Sequence, residues 1–164
     1  MNWQEVCSDS MLRDLSYKIE LNEWGKIVMS PATGRHSILQ GLLIDALNRQ
    51  KQGGLVFPEC PTQTAKGVKV PDVVWASSRF LIDHGDENPF SQAAEVCIEV
   101  LSSSNTREEM EEKRKLYFAR GAREVWLCDE NGTLSFYDGT GQIASSRLFP
   151  TLNRIETDYL HGAI

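Results

Sequence analysis

Residues 93–101 read AAEVCIEVL, a nearly continuous apolar run of strand length. Such a run is the pattern of a central strand covered on both faces, since a one-sided strand alternates apolar with polar. Side chains alternate along a strand. Val96, Ile98 and Val100 therefore fill one face, and Glu95, Cys97, Glu99 and Leu101 share the other. The chain must supply a packing layer on each side of this strand. It must also supply a reason for Glu99, because a carboxylate inside a buried strand is costly unless it is paired or holds a metal. The structural alternative is that Glu99 faces a basic side chain, or that the strand is half exposed.

The flanking sequence provides those layers. Over residues 36–50, Ile38, Leu39, Leu42, Leu43, Ala46 and Leu47 recur at helical spacing, and Gln52-Gly53-Gly54 ends the helix. Thr106 and Glu109 form a capping box for a second helix that runs to Arg120 and closes at Gly121. Strands are predicted over 55–57, over 70–76 and as a hairpin, 124–129 with 133–137, around Glu130-Asn131-Gly132. Residues 16–23 and 26–29 flank Trp24-Gly25 as an N-terminal β-hairpin. Residues 83–92 form a polar loop, and the tail after Gly141 is weakly patterned. The expectation is an α/β fold of one domain over residues 1–164: a mixed β-sheet flanked by two principal helices, with an N-terminal β-hairpin.

Composition narrows the classes. With 41% apolar and 24% charged residues, the 164-residue chain is globular, not disordered. No apolar run reaches the roughly 18 residues that span a bilayer. The N-terminus lacks the basic and apolar regions of a signal peptide. Cys7, Cys60, Cys97 and Cys128 are scattered, with no C-x-x-C pair, so neither a zinc site nor a redox pair is expected. A reduced, cytoplasmic setting without membrane partners is the simple expectation. The net charge of −6 excludes broad adhesion to nucleic acid. It is unevenly spread: residues 83–112 hold nine acids and one base, and residues 113–123 hold five bases and no acid. That pattern suits local binding of a phosphate that depends on salt and metal.

Two more residues contradict their own elements. Asp72 follows Pro71 at the entrance of an apolar strand, where a turn aspartate is the ordinary alternative. Lys113 lies on the apolar stripe of the second helix. With Met110 at zero and 100° per residue, Lys113 falls at about 300°, between Leu116 at about 240° and Tyr117 at about 340°. Lys115, at about 140°, points away. Two acids on neighbouring strands can hold Mg²⁺ through hard oxygen ligands. A lysine beside them can offset charge developing on a phosphate and orient an attacking water. The implied chemistry is metal-assisted phosphodiester hydrolysis.

At this point the chain resembles the PD-(D/E)XK nuclease superfamily, and within it the Uma-type restriction endonuclease family. The matching stretches are IELNEWGKIVMSPATGRHS, VPDVVWAS, VCIEVLSSSNTREEMEEKRKLYFARGAREVWLCD and TLSFYD, together covering residues 16–138. The resemblance implies a restriction endonuclease-like fold and Mg²⁺ or Mn²⁺ at Asp72 and Glu99. It also implies a DNA substrate and a homodimer. Asp72 matches the aspartate of the PD motif, and Glu99 the acid of the (D/E)XK strand. That motif expects lysine two residues after Glu99, where this chain has Leu101. By the resemblance the lysine has migrated to the helix as Lys113. Glu20, His36 and Tyr117 match auxiliary family positions, with Glu20 a further metal or water contact. Trp75 and Trp126 are read as packing residues.

Three functions compete on this reading. The first is a Mg²⁺-dependent DNA endonuclease. The second is a non-catalytic binding or regulatory module that keeps the fold. The third is a hydrolase of another phosphoester, such as RNA or a nucleotide.

Overall fold

A computed structural model of the chain describes residues 1–50 and 53–158. Gln52, part of the predicted helix stop, lies outside the described residues, as does His161. In chain order the elements are α1 (Trp3–Ser8), β1 (Tyr17–Leu21), β2 (Ile27–Pro31), α2 (Gly34–Arg49), β3 (Leu55–Pro58), β4 (Thr62–Thr64) and β5 (Gly67–Lys69). Then follow β6 (Val73–Ala76), α3 (Ser78–His84), β7 (Val96–Val100), α4 (Arg107–Ala119), β8 (Glu124–Cys128), β9 (Leu134–Asp138) and β10 (Gly141–Ile143).

The predicted central strand is central. Every residue of β7 is buried, and the strand pairs with β6 antiparallel and β8 parallel. The parallel pair needs a crossover connection, and α4 supplies it. The six-stranded sheet runs in the order β10-β9-β8-β7-β6-β3. Its two faces follow the alternation read from the sequence. Val73, Trp75, Val96, Ile98, Val100 and Trp126 pack with Leu39, Leu43 and Leu47 of α2. Val74, Cys97 and Val125 pack on the opposite side with Tyr117 of α4 and Phe80 of α3. The three α2 leucines are almost fully buried, each stabilising the fold by about 1.5–3 kcal/mol. Among the described residues, no helix is long and apolar enough to cross a membrane.

The N-terminal hairpin forms a separate two-stranded sheet, with Glu20 opposite Val28. A second small hairpin, β4–β5, abuts its end. Gly67, at φ +82°, makes this approach possible: a Cβ there would lie 2.3 Å from the Leu21 carbonyl oxygen. Leu21, Val68 and Val6 of α1 form a small core of their own beneath the two hairpins.

The structure departs from the sequence expectation in several places: it adds α1 and the β4–β5 hairpin, and the strand predicted over 70–76 is β6 from Val73 onward. Helix α2 starts at Gly34, because Thr33 caps it by accepting the His36 N–H at 3.1 Å. Thr106 caps α4 by accepting the Glu109 N–H, but the reciprocal half of the predicted box is absent and the Glu109 carboxylate meets the Asn105 amide at 3.5 Å. The predicted polar loop 83–92 loses its first two residues to α3. That helix is set by the Ser77 cap on Phe80 N–H and an Arg79–Asp83 pair one turn apart. The tail after Gly141 adds β10 and buries Phe149, Leu152 and Ile155 against the α2 side of the sheet. Glu124 anchors it: this buried carboxylate accepts from Trp126 Nε1 at 2.8 Å, Ser146 Oγ at 2.7 Å and Arg147 N–H at 2.8 Å. Trp75 and Trp126 are packing residues, as expected, edge-on to Phe149.

Candidate active site

Strand register brings the two acids together. Val73 of β6 is opposite Ile98 of β7, so the next step along the same register puts Asp72 opposite Glu99. Both are buried, at 2% exposure each. Asp72 is held through its backbone, its carbonyl accepting from Gln40 Nε2 at 2.7 Å and Glu59 N–H at 3.2 Å. Each carboxylate then spends one oxygen on the scaffold. Asp72 Oδ2 accepts the Val100 N–H at 2.7 Å, and Glu99 Oε1 accepts the Tyr117 hydroxyl at 2.6 Å. The other two oxygens, Asp72 Oδ1 and Glu99 Oε2, share one cation: Lys18 Nζ, 3.1 Å from each.

The remaining predicted residues close around this pair. Lys113 sits 3.1 Å from Glu20 Oε1 and 3.5 Å from Glu99 Oε1. Glu20 also accepts the Val70 N–H at 2.7 Å. His36 places Nε2 3.3 Å from Asp72 Oδ1, while its Nδ1 is buried with no hydrogen-bond partner. All six predicted residues, Glu20, His36, Asp72, Glu99, Lys113 and Tyr117, are thus one contiguous cluster. It opens to solvent through a small cavity of about 90 Å³ bordered by Lys18, His36 and Asn105. Lys115 is exposed and pairs with Glu111 on the far face of α4, as the helical angles predict.

The surroundings separate the proton affinities of the acids. Burial opposes ionisation of Asp72, but Lys18, His36 and the Val100 N–H outweigh it and hold the carboxyl well below its usual range. At Glu99 burial dominates and raises the pKa, against the pull of Lys113 and Lys18 and with the help of Asp72 and Glu20. Glu20 resembles Asp72: burial is outweighed by Lys113, Lys18 and the Val70 N–H, and its pKa falls. Burial works against the Lys18 ammonium, yet Glu99, Asp72 and Glu20 raise its pKa above the lysine value. His36 is raised, first by its bond to Asp72. Burial pushes the Tyr117 hydroxyl well up, so it remains a proton donor to Glu99. Two facing carboxylates with divergent affinities are a recurrent mark of acid–base sites.

The sequence model of the Uma2 family, described as "Putative restriction endonuclease", matches residues 9–162. The chain belongs to the Uma2 family. A crystal structure from Anabaena variabilis ATCC 29413, described as a putative nuclease belonging to DUF820, is similar to this Uma2 chain at a TM-score of 0.69 and 19% identity. The match covers 89% of this chain and 91% of that one. The likeness shows a shared fold. No curated protein matches the chain.

Two members of this cluster in the Uma2 chain escaped the sequence reading, Lys18 and Gln40. Lys18 was signalled by position alone, since it shares a face of β1 with Glu20 two residues on. Gln40 had no signal: it is a polar residue on a helix, facing the Asp72 carbonyl only once the fold is complete. Among the described residues, no three His, Cys, Asp or Glu side chains are gathered as a metal's ligands. The hard donors present are the two carboxylate oxygens now on Lys18.

Proposed function

We propose that the protein is a metal-dependent nuclease that hydrolyses phosphodiester bonds in DNA at the Asp72–Glu99 pair, using Mg²⁺ or Mn²⁺. One observation carries this reading. Two carboxylates on opposed strand positions each turn one oxygen to a single positive charge, Lys18 Nζ, at 3.1 Å, with the His36 ring beside the Asp72 oxygen. Two hard oxygens gathered on one cation suit Mg²⁺, which takes one or two carboxylates and keeps several waters. Asp72 and Glu99 would hold it. When bound, the metal supplies charge stabilisation at a phosphoryl oxygen and acidifies a water.

The other groups have separable tasks. Tyr117 and the Val100 N–H fix the rotation of the two carboxylates. Lys113 takes the part of the migrated lysine: its ammonium lies against Glu99 and offsets negative charge developing on a phosphate. Glu20 holds Lys113 in place, and His36 with Gln40 holds Asp72. A dimer, as the superfamily resemblance implies, would set two such sites across a duplex.

The test is cleavage of supercoiled plasmid in Mg²⁺ or Mn²⁺. Wild type is expected to nick or linearise it, and Asp72→Asn and Glu99→Gln to leave it intact. Full activity in Asp72→Asn overturns the reading. A second reading, a non-catalytic module that keeps the fold, is favoured by one fact: the chain supplies a cation of its own, Lys18, to Asp72 Oδ1 and Glu99 Oε2. A folded protein that takes up no Mn²⁺ in calorimetry would decide for it.

A further inference from the structure

The lysine that sequence reasoning passed over has a distinctive position. Lys18 stands on the two carboxylate oxygens that nothing else in the scaffold engages, apart from the His36 ring beside Asp72 Oδ1. Lys113 does not: its contacts are to Glu20 Oε1 and to Glu99 Oε1, the oxygen already bonded to Tyr117. The two lysines therefore differ in what a metal would ask of them. A divalent ion seated between Asp72 and Glu99 would take the lone pairs that Lys18 holds. It would bring its oxygens to about 2.0–2.1 Å, leaving no place for an ammonium on the same atoms. Two like charges would also meet at contact distance, which is strongly unfavourable away from water.

Lys18 has the means to leave. Its charge rides on a flexible four-carbon stem. Its backbone belongs to the two-stranded β1–β2 hairpin and not to the six-stranded sheet that carries Glu99. Its side chain is 13% exposed, against 2% and 3% for the two acids, and it borders the cavity that opens to solvent. We propose that Lys18 is a built-in counter-cation that neutralises the Asp72–Glu99 pair and competes with the divalent metal, so that metal loads only as the Lys18 ammonium withdraws from the two acids. The inference rests on the metal-dependent reading above. It makes Lys18 a positioning residue that sets metal affinity, distinct from Lys113, which stays in place.

Two measurements test it, neither of them an activity. In calorimetry with Mn²⁺, Lys18→Met and Lys18→Gln are expected to bind about tenfold more tightly than wild type or better. Their unfolding temperatures are expected to gain more from Mn²⁺ than that of wild type. The second measurement needs no variant. Wild type is treated with acetic anhydride with and without saturating Mg²⁺, and acetylation is mapped by mass spectrometry. Lys18 is expected to be protected without Mg²⁺ and several-fold more reactive with it, with Lys113 unchanged. Unchanged or weaker Mn²⁺ binding by the folded variants overturns the proposal, as does continued protection of Lys18 at saturating Mg²⁺. If neither wild type nor variants bind Mn²⁺, the metal reading itself falls and takes this proposal with it. If wild type binds Mn²⁺ and the variants bind no better, only the role of Lys18 falls.

Discussion

Lys113 of α4 and Glu20 of β1 meet at 3.1 Å across 93 residues of chain, both buried. Breaking a buried pair leaves one charge uncompensated, at a cost of about 3–5 kcal/mol. Lys18 Nζ, 3.8 Å from Glu20 Oε1, still faces the acid when Lys113 is lost, so Lys113→Met is expected to lose less than that, about 1–3 kcal/mol in urea unfolding. Adding Glu20→Gln removes the charge that has lost its nearer partner and keeps an acceptor for Val70. The double variant should lose less than the sum of the singles, with a coupling of about 0.5–3 kcal/mol. Strict additivity would show that the pair does not act as a unit. Lys115→Ala, on the exposed face, is the control and should change stability by less than about 0.5 kcal/mol.

Tyr117→Phe removes one hydroxyl from Glu99. A buried acceptor deprived of its donor costs about 1–3 kcal/mol, to be read in the same unfolding assay. The missing bond stabilised the ionised carboxylate, so the Glu99 pKa, already raised by burial, moves further up. The acid limb of the pH profile for plasmid cleavage should then shift to higher pH. A profile that falls uniformly, with no shift in its acid limb, would show that the hydroxyl does not tune Glu99.

Glu124 is an equally buried acid with a purely architectural setting. Glu124→Ala strands the Trp126 indole N–H, the Ser146 hydroxyl and the Arg147 amide. The expected loss is at least about 3 kcal/mol. Amide exchange should accelerate first at Arg147, Leu148 and Phe149, while Mn²⁺ affinity stays at the wild-type value. Exchange that rises evenly over the sheet would contradict a local anchor.

The acid side of the stability curve has a marker far from the cluster. Glu87 accepts the Ser91 N–H at 2.7 Å and faces His84 at 3.0 Å, and these contacts, Ser91 first, hold its carboxyl at about 2. A depressed carboxyl stabilises the fold in full above its unfolded value of 4.5 and loses that contribution as pH falls through about 2. Wild type should exceed Glu87→Gln in stability at pH 4.5, and the margin should close between 4.5 and 2. A margin that persists unchanged to pH 2 would exclude the mechanism.

Which parts of this were legible in the sequence follows from the range of the forces involved. Glu99 was legible because an acid in an apolar strand violates a local pattern. Lys113 was legible because helical angles are fixed by local geometry. The sheet centre and both long helices follow from periodicity of the same kind. Lys18 was legible only as a neighbour of Glu20 on one strand face; its burial and its role are created by partners 54 and 81 residues away. On its own strand it looks like half of an ordinary solvated face. The C-terminal segment was missed for a related reason. Phe149, Leu152 and Ile155 share no strand period, and a single distant acid, Glu124, folds them back on the sheet. Helix α3 is only seven residues, too short to show a stripe.

The β1–β2 hairpin has a further consequence. Lys18 and Glu20 reach the site only because they occupy alternate positions of one strand whose pairing is fixed against β2. A slip of one residue turns every side chain of a strand to its other face. The reading frame of that pairing is set at a surface turn over residues 22–26, where the Asn22 side chain accepts the amides of Trp24 and Lys26 at 3.0 Å each. One residue inserted between Glu20 and that turn would carry Lys18 and Glu20 outward together. Asp72 would be left with His36 and Glu99 with Lys113, and the rest of the sheet would stand. A length change at the end of β1 is thus a route by which this fold can gain or lose the Lys18 and Glu20 arm of its ion cluster in a single step.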